Sequence, residues 1–402
     1  MANPYRELFA ARGTRGFALA GLLARIPLPM TGIGIITMLS QLRGSYALAG
    51  AVSATFVLAY ALVSPYVSRL ADRHGQRRVL PAATAASAIG LLSLVAGAWW
   101  RMPDWTLFIG ASMAGFMPSI SAMVRARWTA LYRGEPRLQT AYSLETVFDE
   151  VTFIAGPPLS VGLSVMAFPQ AGPLAAALLL ILGVFALVVQ HGTEPPFEAH
   201  GIDADGSGTL IRLASVRLLA LLMVAMGVIV GTVDIVSVAF TEQLGQPAAA
   251  SLVLSAYAMG SCLAGLLFGA LKLQAPLHRL LLLGGLATAV TTWPLLLVGG
   301  IASLAGTVLV AGLFFAPTMI VAMSLVERLV PERRLTEGMT WLLAGLNIGV
   351  ALGAAVSGHV VDDHGARAGF TVALCAGAGV LLVALWGYQR FHAHGSPVSE
   401  AA

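Results

Sequence analysis

The hydropathy pattern of the chain is a series of long apolar runs separated by short polar segments. Each run is close to the roughly 20 residues that a helix needs to cross a bilayer. The runs are continuously apolar and do not alternate, so they predict helices and not the strands of a membrane barrel. Twelve spans are predicted, at about residues 17–39, 46–67, 79–100, 104–126, 139–164, 171–190, 213–240, 248–271, 278–298, 301–325, 336–360 and 367–389.

The composition agrees with an all-α polytopic membrane protein. The chain has 402 residues, of which 57% are hydrophobic and 10% charged, whereas a soluble chain carries roughly 25% charged residues. The first run follows three arginines, but it contains Arg25 and two prolines and lacks a small-residue cleavage pattern. We therefore expect a retained span and not a signal peptide.

The positive charges predict the orientation. Of the 23 lysine and arginine residues, Arg43, Arg101 and Arg367 fall on one side of the predicted membrane and Arg25 falls within a span, which leaves 19 for the other side. Positively charged loops stay cytoplasmic, so both termini are expected inside, in a plasma (inner) membrane.

One long polar segment, residues 191–212, divides the runs into six and six. It is rich in Gly, Pro and acids and too short for a domain, so we expect a cytoplasmic linker. Residues 1–190 and 213–402 are then two six-helix bundles. A shift of 197 residues aligns Gly156 with Gly353. Related halves of this kind hold a binding site between them near the midplane.

The loop after span two reads SRLADRHGQRRVL, residues 68–80. It resembles the signature G-x-L-A-D-R-x-G-R-R between helices two and three of the major facilitator superfamily, with Ser68 at the first glycine and Gln76 after the second. The resemblance implies two pseudo-symmetric six-helix bundles that work by alternating access. It also implies a conformational latch formed by Asp72, Arg73, Gly75, Arg77 and Arg78. A simpler interpretation is that these arginines only set the orientation.

Span five contains AGPP, residues 155–158, which keeps the Gly-Pro pair of the superfamily's drug/proton antiporters at Gly156 and Pro157. The resemblance implies a second conformational element there. Proline removes a backbone donor, so we expect a kink or a loosened helix. An ordinary packing kink would give the same pattern.

Span five also carries Glu145, Asp149 and Glu150. Each charge at mid-bilayer costs on the order of 3 kcal/mol, so unpaired acids there must be protonated or find a cation. A rise of about 1.5 Å per residue places Arg25 of span one at the depth of Asp149 and Glu150. We predict an ion pair from Arg25 to Asp149 or Glu150, with another acid left to exchange protons or meet a cationic substrate. A purely structural ion pair is the alternative.

Two polar residues of the second half complete the predicted proton and substrate site. Asp234 lies in span seven, and Asn347 of span eleven occupies the repeat position of Glu150. The linker segment 203–214 imitates a calcium loop, but Ala214 stands where a bidentate Glu is required. The sequence shows no nucleotide-binding, metal-binding or nucleophile–base motif, so we expect no cofactor, no nucleic acid and no enzyme activity.

Taken with the resemblance, these features predict a monomeric secondary transporter for proton-coupled efflux of small apolar or cationic compounds. Protonation of the span-five acids would release substrate outside, and deprotonation inside would restore binding. A proton-coupled uptake symporter uses the same acids. A lipid flippase or a non-transporting membrane sensor is a third possibility.

Overall fold

The computed structural model describes residues 4–44, 46–196, 209–246, 249–271 and 275–393. Within these ranges the regular structure is helical. The α-helices are α1 (Pro4–Leu8), α2 (Thr14–Arg25), α3 (Pro27–Arg43), α4 (Tyr46–His74), α5 (Gln76–Trp99), α6 (Asp104–Ala114), α7 (Ile120–Tyr132), α8 (Arg137–Met166), α9 (Ala171–Val188), α10 (Ala214–Gln243), α11 (Ala249–Ala270), α12 (Leu277–Thr292), α13 (Ile301–Leu329), α14 (Leu335–His364) and α15 (Ala366–Ala393). Short 3-10 helices cover His191–Thr193, Leu210–Arg212, Trp293–Leu297 and Glu332–Arg334.

Ten helical segments in the described part of the chain are long and apolar enough to cross a membrane. The other two predicted spans correspond to α6 with α7, and to α8. Helices α6 and α7 have 11 and 13 residues, too short to span singly, and α8 has 30 residues but carries three acids. The predicted all-α polytopic fold is confirmed, and its helices are consistent with twelve spans.

The fourth span differs from its prediction in one respect that matters for the site. The helix stops at Ala114 and restarts at Ile120, because Pro118 lies between them and disfavours helical backbone before it. Helix α7 then continues past the predicted end at residue 126. The count of positive charges that predicts the orientation includes Arg125 and Arg127 among the cytoplasmic charges. Both are instead buried side chains of α7.

The chain divides into two compact units. Unit 1 comprises Met1–Leu210 with Val330–Ala344, and unit 2 comprises Ile211–Leu329 with Gly345–Ala402. The first residues of α14 therefore belong to unit 1. Residues 197–208 of the predicted linker, and with them the first half of the calcium-like segment 203–214, lie outside the described residues.

Each unit has the same internal order of helix packing. In unit 1, α4 packs against α6, α5 against both α6 and α9, and α2 and α3 against α9. In unit 2, α11 packs against α13, α12 against both α13 and α15, and α10 against α15. Helix α14 also approaches α10 closely, because a Cβ at Gly231 would lie 2.1 Å from the Val350 carbonyl oxygen.

Candidate functional site

The last residue of α2, Arg25, joins α2 to the middle of α8. Its Nη1 donates to Asp149 Oδ1 at 3.0 Å and to the Glu145 carbonyl at 3.3 Å, and its Nη2 donates to Glu145 Oε2. Its Nε donates to the Gly21 carbonyl at 3.2 Å. The predicted pairing of Arg25 with Asp149 is therefore present, and Glu145 is a second partner at the same level.

Glu145 is the more enclosed of these acids. Its side chain is 0% exposed, and its second oxygen, Oε1, accepts from Trp128 Nε1 at 2.8 Å. The Trp128 ring packs edge-on against Phe17 and stacks on Tyr132. Glu145 thus lies in an aromatic surrounding with both oxygens hydrogen-bonded, which suits a fixed, ionised partner of Arg25.

A second cation, Arg125 of α7, was missed by the sequence prediction. Its Nη2 donates to Asp149 Oδ2 at 2.9 Å and to Thr146 Oγ1 at 3.3 Å, and its side chain is 0% exposed. Ser121, one turn earlier on α7, donates to Asp149 Oδ1. Two residues four apart on one helix therefore hold the same carboxylate.

Asp149 consequently bridges two arginines from different helices. Its side chain is 16% exposed, whereas those of Arg25 and Arg125 are 3% and 0% exposed. Glu150, the next residue, is half-buried. Two arginines and two acids balance each other in what we call the charge cluster, formed by Arg25, Arg125, Glu145 and Asp149.

Helix α8 does not break at the proline pair. It runs from Arg137 to Met166 through Pro157 and Pro158, so the helix continues past both prolines. Gly156 serves close packing, because a Cβ there would lie 2.8 Å from the Pro29 Cγ of α3. This contact sits two turns beyond Asp149 on the same helix.

The two predicted site residues of the second half lie in unit 2. Asp234 is on α10 and Asn347 is on α14, and both are half-buried. The structure therefore brings together Arg25, Glu145 and Asp149 in unit 1. The proton- or substrate-binding role of Asp234 and Asn347 stays a prediction.

The signature loop joins α4 to α5 through Gly75, whose φ of 87° suits glycine. Asp72 lies in the last turn of α4, and its Oδ2 accepts from the backbone N–H of Glu337 at 2.8 Å. That N–H belongs to the first turn of α14, where a helix has unpaired donors and a positive dipole end. A carboxylate is well placed there.

The same end of unit 1 holds further contacts, and we call it the signature end. The Glu337 carboxylate accepts from the Leu210 N–H at 2.8 Å and from Arg334 Nη2 at 2.8 Å. Ser68, at the position of the first signature glycine, lies with its hydroxyl 2.8 Å from that of Thr340, and both are buried. The departure from glycine thus adds a hydrogen bond to α14.

The other departure, Gln76, also has a partner. Its Oε1 accepts from Arg127 Nε at 2.8 Å, while Arg127 Nη1 donates to the Gln190 carbonyl at 3.0 Å and to Thr193 at 2.9 Å. Arg127 thereby ties α5 and α7 to the end of α9.

The remaining latch residues of the signature loop lie at the surface. Arg73, Arg77 and Arg78 are exposed, and the Arg77 N–H donates to Glu194 at 2.9 Å. In the described part of the chain, no group of His, Cys, Asp and Glu residues is arranged to hold a metal ion.

Comparison with known proteins agrees with this arrangement. The chain matches the Major Facilitator Superfamily over residues 17–238 and 218–401. It is 30% identical over 206 residues to an uncharacterized MFS-type transporter, YdeG, of Bacillus subtilis (strain 168), a match that covers 50% of this chain and 46% of that protein. The chain thus spans about half the length of the curated relative it matches.

The fold is shared with solved structures of other proteins. A bacterial homologue of the iron transporter ferroportin in the outward-facing state aligns with a TM-score of 0.73 and 15% identity, over 94% of this chain and 100% of that one. The human organic anion transporter MFSD10 (TETRAN) aligns with a TM-score of 0.70 and 15% identity, again over 94% and 100%. The chain belongs to the Major Facilitator Superfamily, whose members are membrane transporters and not enzymes.

Proposed function

We propose that this secondary transporter couples proton movement to the efflux of small apolar or cationic compounds by alternating access. The observation that carries the proposal is the charge cluster on α2, α7 and α8. Ionisable side chains in membrane helices are costly, and they mark ion pathways and proton relays. We propose further that the protein acts as a monomer in the plasma (inner) membrane, with both termini cytoplasmic and without a cofactor.

Asp149 is the best candidate for the proton-exchanging acid. It is 16% exposed, whereas Glu145 is 0% exposed and enclosed by Trp128 and Arg25. Both acids are held by arginines, but the partly exposed Asp149 is accessible to a proton, whereas Glu145 is fully enclosed. Glu150, Asp234 and Asn347 are proposed as further polar groups on the path of proton or cargo.

The contacts at the signature end support the latch that alternating access requires. Asp72 accepts from the Glu337 N–H at the start of α14, and Ser68 lies within hydrogen-bond distance of Thr340 on the same helix. Hydrogen bonds of this kind can break and reform, as a reversible latch needs. With the positively charged signature loop on the cytoplasmic side, the latch would close the inner entrance, and Gly156 with Pro157 would let α8 adjust.

The test is transport of ethidium into vesicles that contain the purified protein. An antiporter accumulates ethidium when the vesicle lumen is acidic, because protons leave as the dye enters. Uptake driven only by acid outside would indicate a symporter, and no response to either gradient would indicate a flippase or a sensor. We expect Asp149→Asn to abolish the gradient-driven uptake and Glu135→Gln, an exposed acid outside the cluster, to leave it unchanged. Equal uptake by the Asp149 variant would refute the role of Asp149.

A further inference from the structure

The two arginines of the charge cluster are held very differently. All three side-chain nitrogens of Arg25 have partners, and one of its two acids is the enclosed Glu145. Arg125 uses only Nη2, and its Nε and Nη1 have no hydrogen-bond partner among the described residues although they are buried. We call Arg25 the anchored cation, because all three of its side-chain nitrogens are hydrogen-bonded. Arg125 is hydrogen-bonded through one nitrogen, Nη2.

This difference decides where charge appears when Asp149 takes up a proton. With both acids ionised, the two positive and two negative charges of the cluster cancel. Once Asp149 is neutral, Arg25 still has Glu145, but Arg125 has lost its one ionic partner. The net positive charge of the cluster then resides on Arg125.

No other described cation is paired with Asp149. From the helices that pack against α8, Arg25 comes from α2 and Arg125 from α7. Tyr60 of α4 also interacts electrostatically with Asp149. The acids on α8 itself are Glu145, one turn away, and the adjacent Glu150.

We propose that Arg125 is the coupling residue of the transporter: protonation of Asp149 unmasks its positive charge, which repels a cationic cargo. The proposal rests on the proposed proton-coupled efflux and deepens it. The proton binds the carboxylate of Asp149 and leaves from the same carboxyl when the ion pair with Arg125 reforms. Proton and cation thus exclude each other through one side chain, and neutral cargo would escape this repulsion.

The experiment measures binding of two probes of similar size by titration calorimetry in acidic and in alkaline buffer. The probes are the tetraphenylphosphonium cation and neutral triphenylphosphine oxide. In the wild type, we expect acid to weaken binding of the cation by roughly tenfold or more, the size expected for one added charge several ångströms away. Binding of the neutral probe should change little.

Variants then assign the effect. Arg125→Gln should lose most of the acid effect on the cation, Arg125→Lys should keep it, and the exposed Arg137→Gln should match the wild type. Asp149 retains Arg25 and Ser121 in the Arg125 variants, so the fold keeps a paired acid. An unchanged acid effect in Arg125→Gln, its loss in Arg125→Lys, or an equal effect on both probes in the wild type would each overturn the proposal. Failure of gradient-driven ethidium uptake in the wild type would instead reject the proposed function itself.

Discussion

Removal of the Arg25 charge should destabilise the protein more than removal of the Arg125 charge. In Arg25→Gln, Asp149 keeps Arg125 and Ser121, so the acid left without a cation is Glu145. That side chain is 0% exposed and retains one neutral donor, Trp128 Nε1. An uncompensated buried charge costs about 3 kcal/mol or more. In Arg125→Gln, the Asp149 carboxylate keeps the donors Arg25 and Ser121 on Oδ1 and loses Arg125 from Oδ2, a cost of about 1–2 kcal/mol.

A double-mutant cycle measures this difference. The apparent stability of Arg25→Gln, Glu145→Gln and the double variant is compared by thermal unfolding in detergent, with Arg125→Gln beside them. The double variant should be more stable than the sum of the single losses predicts, by about 2 kcal/mol, because no charge is left unpaired. Additive losses, or a larger loss in Arg125→Gln than in Arg25→Gln, would refute the assignment of Arg25 as the anchored cation.

Two further predictions concern helix contacts. Gly156→Ala should lower the unfolding temperature by several degrees, a loss of about 1–3 kcal/mol, because the added Cβ meets Pro29. The matched control is Gly162→Ala, at a position with open space around it. Equal shifts of the unfolding temperature in the two variants would contradict the close-packing role of Gly156. Asp72→Ala should speed alkylation of a cysteine placed at Thr340, since the Glu337 N–H loses its acceptor. Asp72→Asn, which still accepts that bond, should label nearly as slowly, and fast labelling of both would mean that charge alone closes the latch.

The fold was predictable because each membrane span is encoded by a continuous stretch of sequence. Each span is an apolar run of membrane length, and the signature at residues 68–80 identifies the loop between the second and third spans. The pairing of Arg25 with Asp149 was also within reach, since helix rise converts sequence position into depth. Depth comparison works for any two helices that enter from the same side.

Arg125 and Arg127 could not be placed in that way, because they lie at the end of a span where loop cations are expected. The interruption before Ile120 and the extension of α7 to Tyr132 move both into the helix. One signal was available: residues two apart on a helix point roughly 200° apart, so both arginines cannot face water on the same side. Helix α8 also continues through Pro157 and Pro158, and the kink or loosening expected there stays a prediction.

The charge cluster contains two ion pairs, whereas one pair is enough to hold two helices together. Arg25 with Glu145 is by itself a neutral, enclosed pair that joins α2 to α8. Asp149 and Arg125 add a second pair at further desolvation cost. The acid is partly exposed, and two buried nitrogens of the arginine have no hydrogen-bond partner in the part of the chain that the structure describes. An apolar pair at these positions would stabilise the bundle at least as well. The proposed change of charge during the transport cycle gives the second pair a role that an apolar pair could not have.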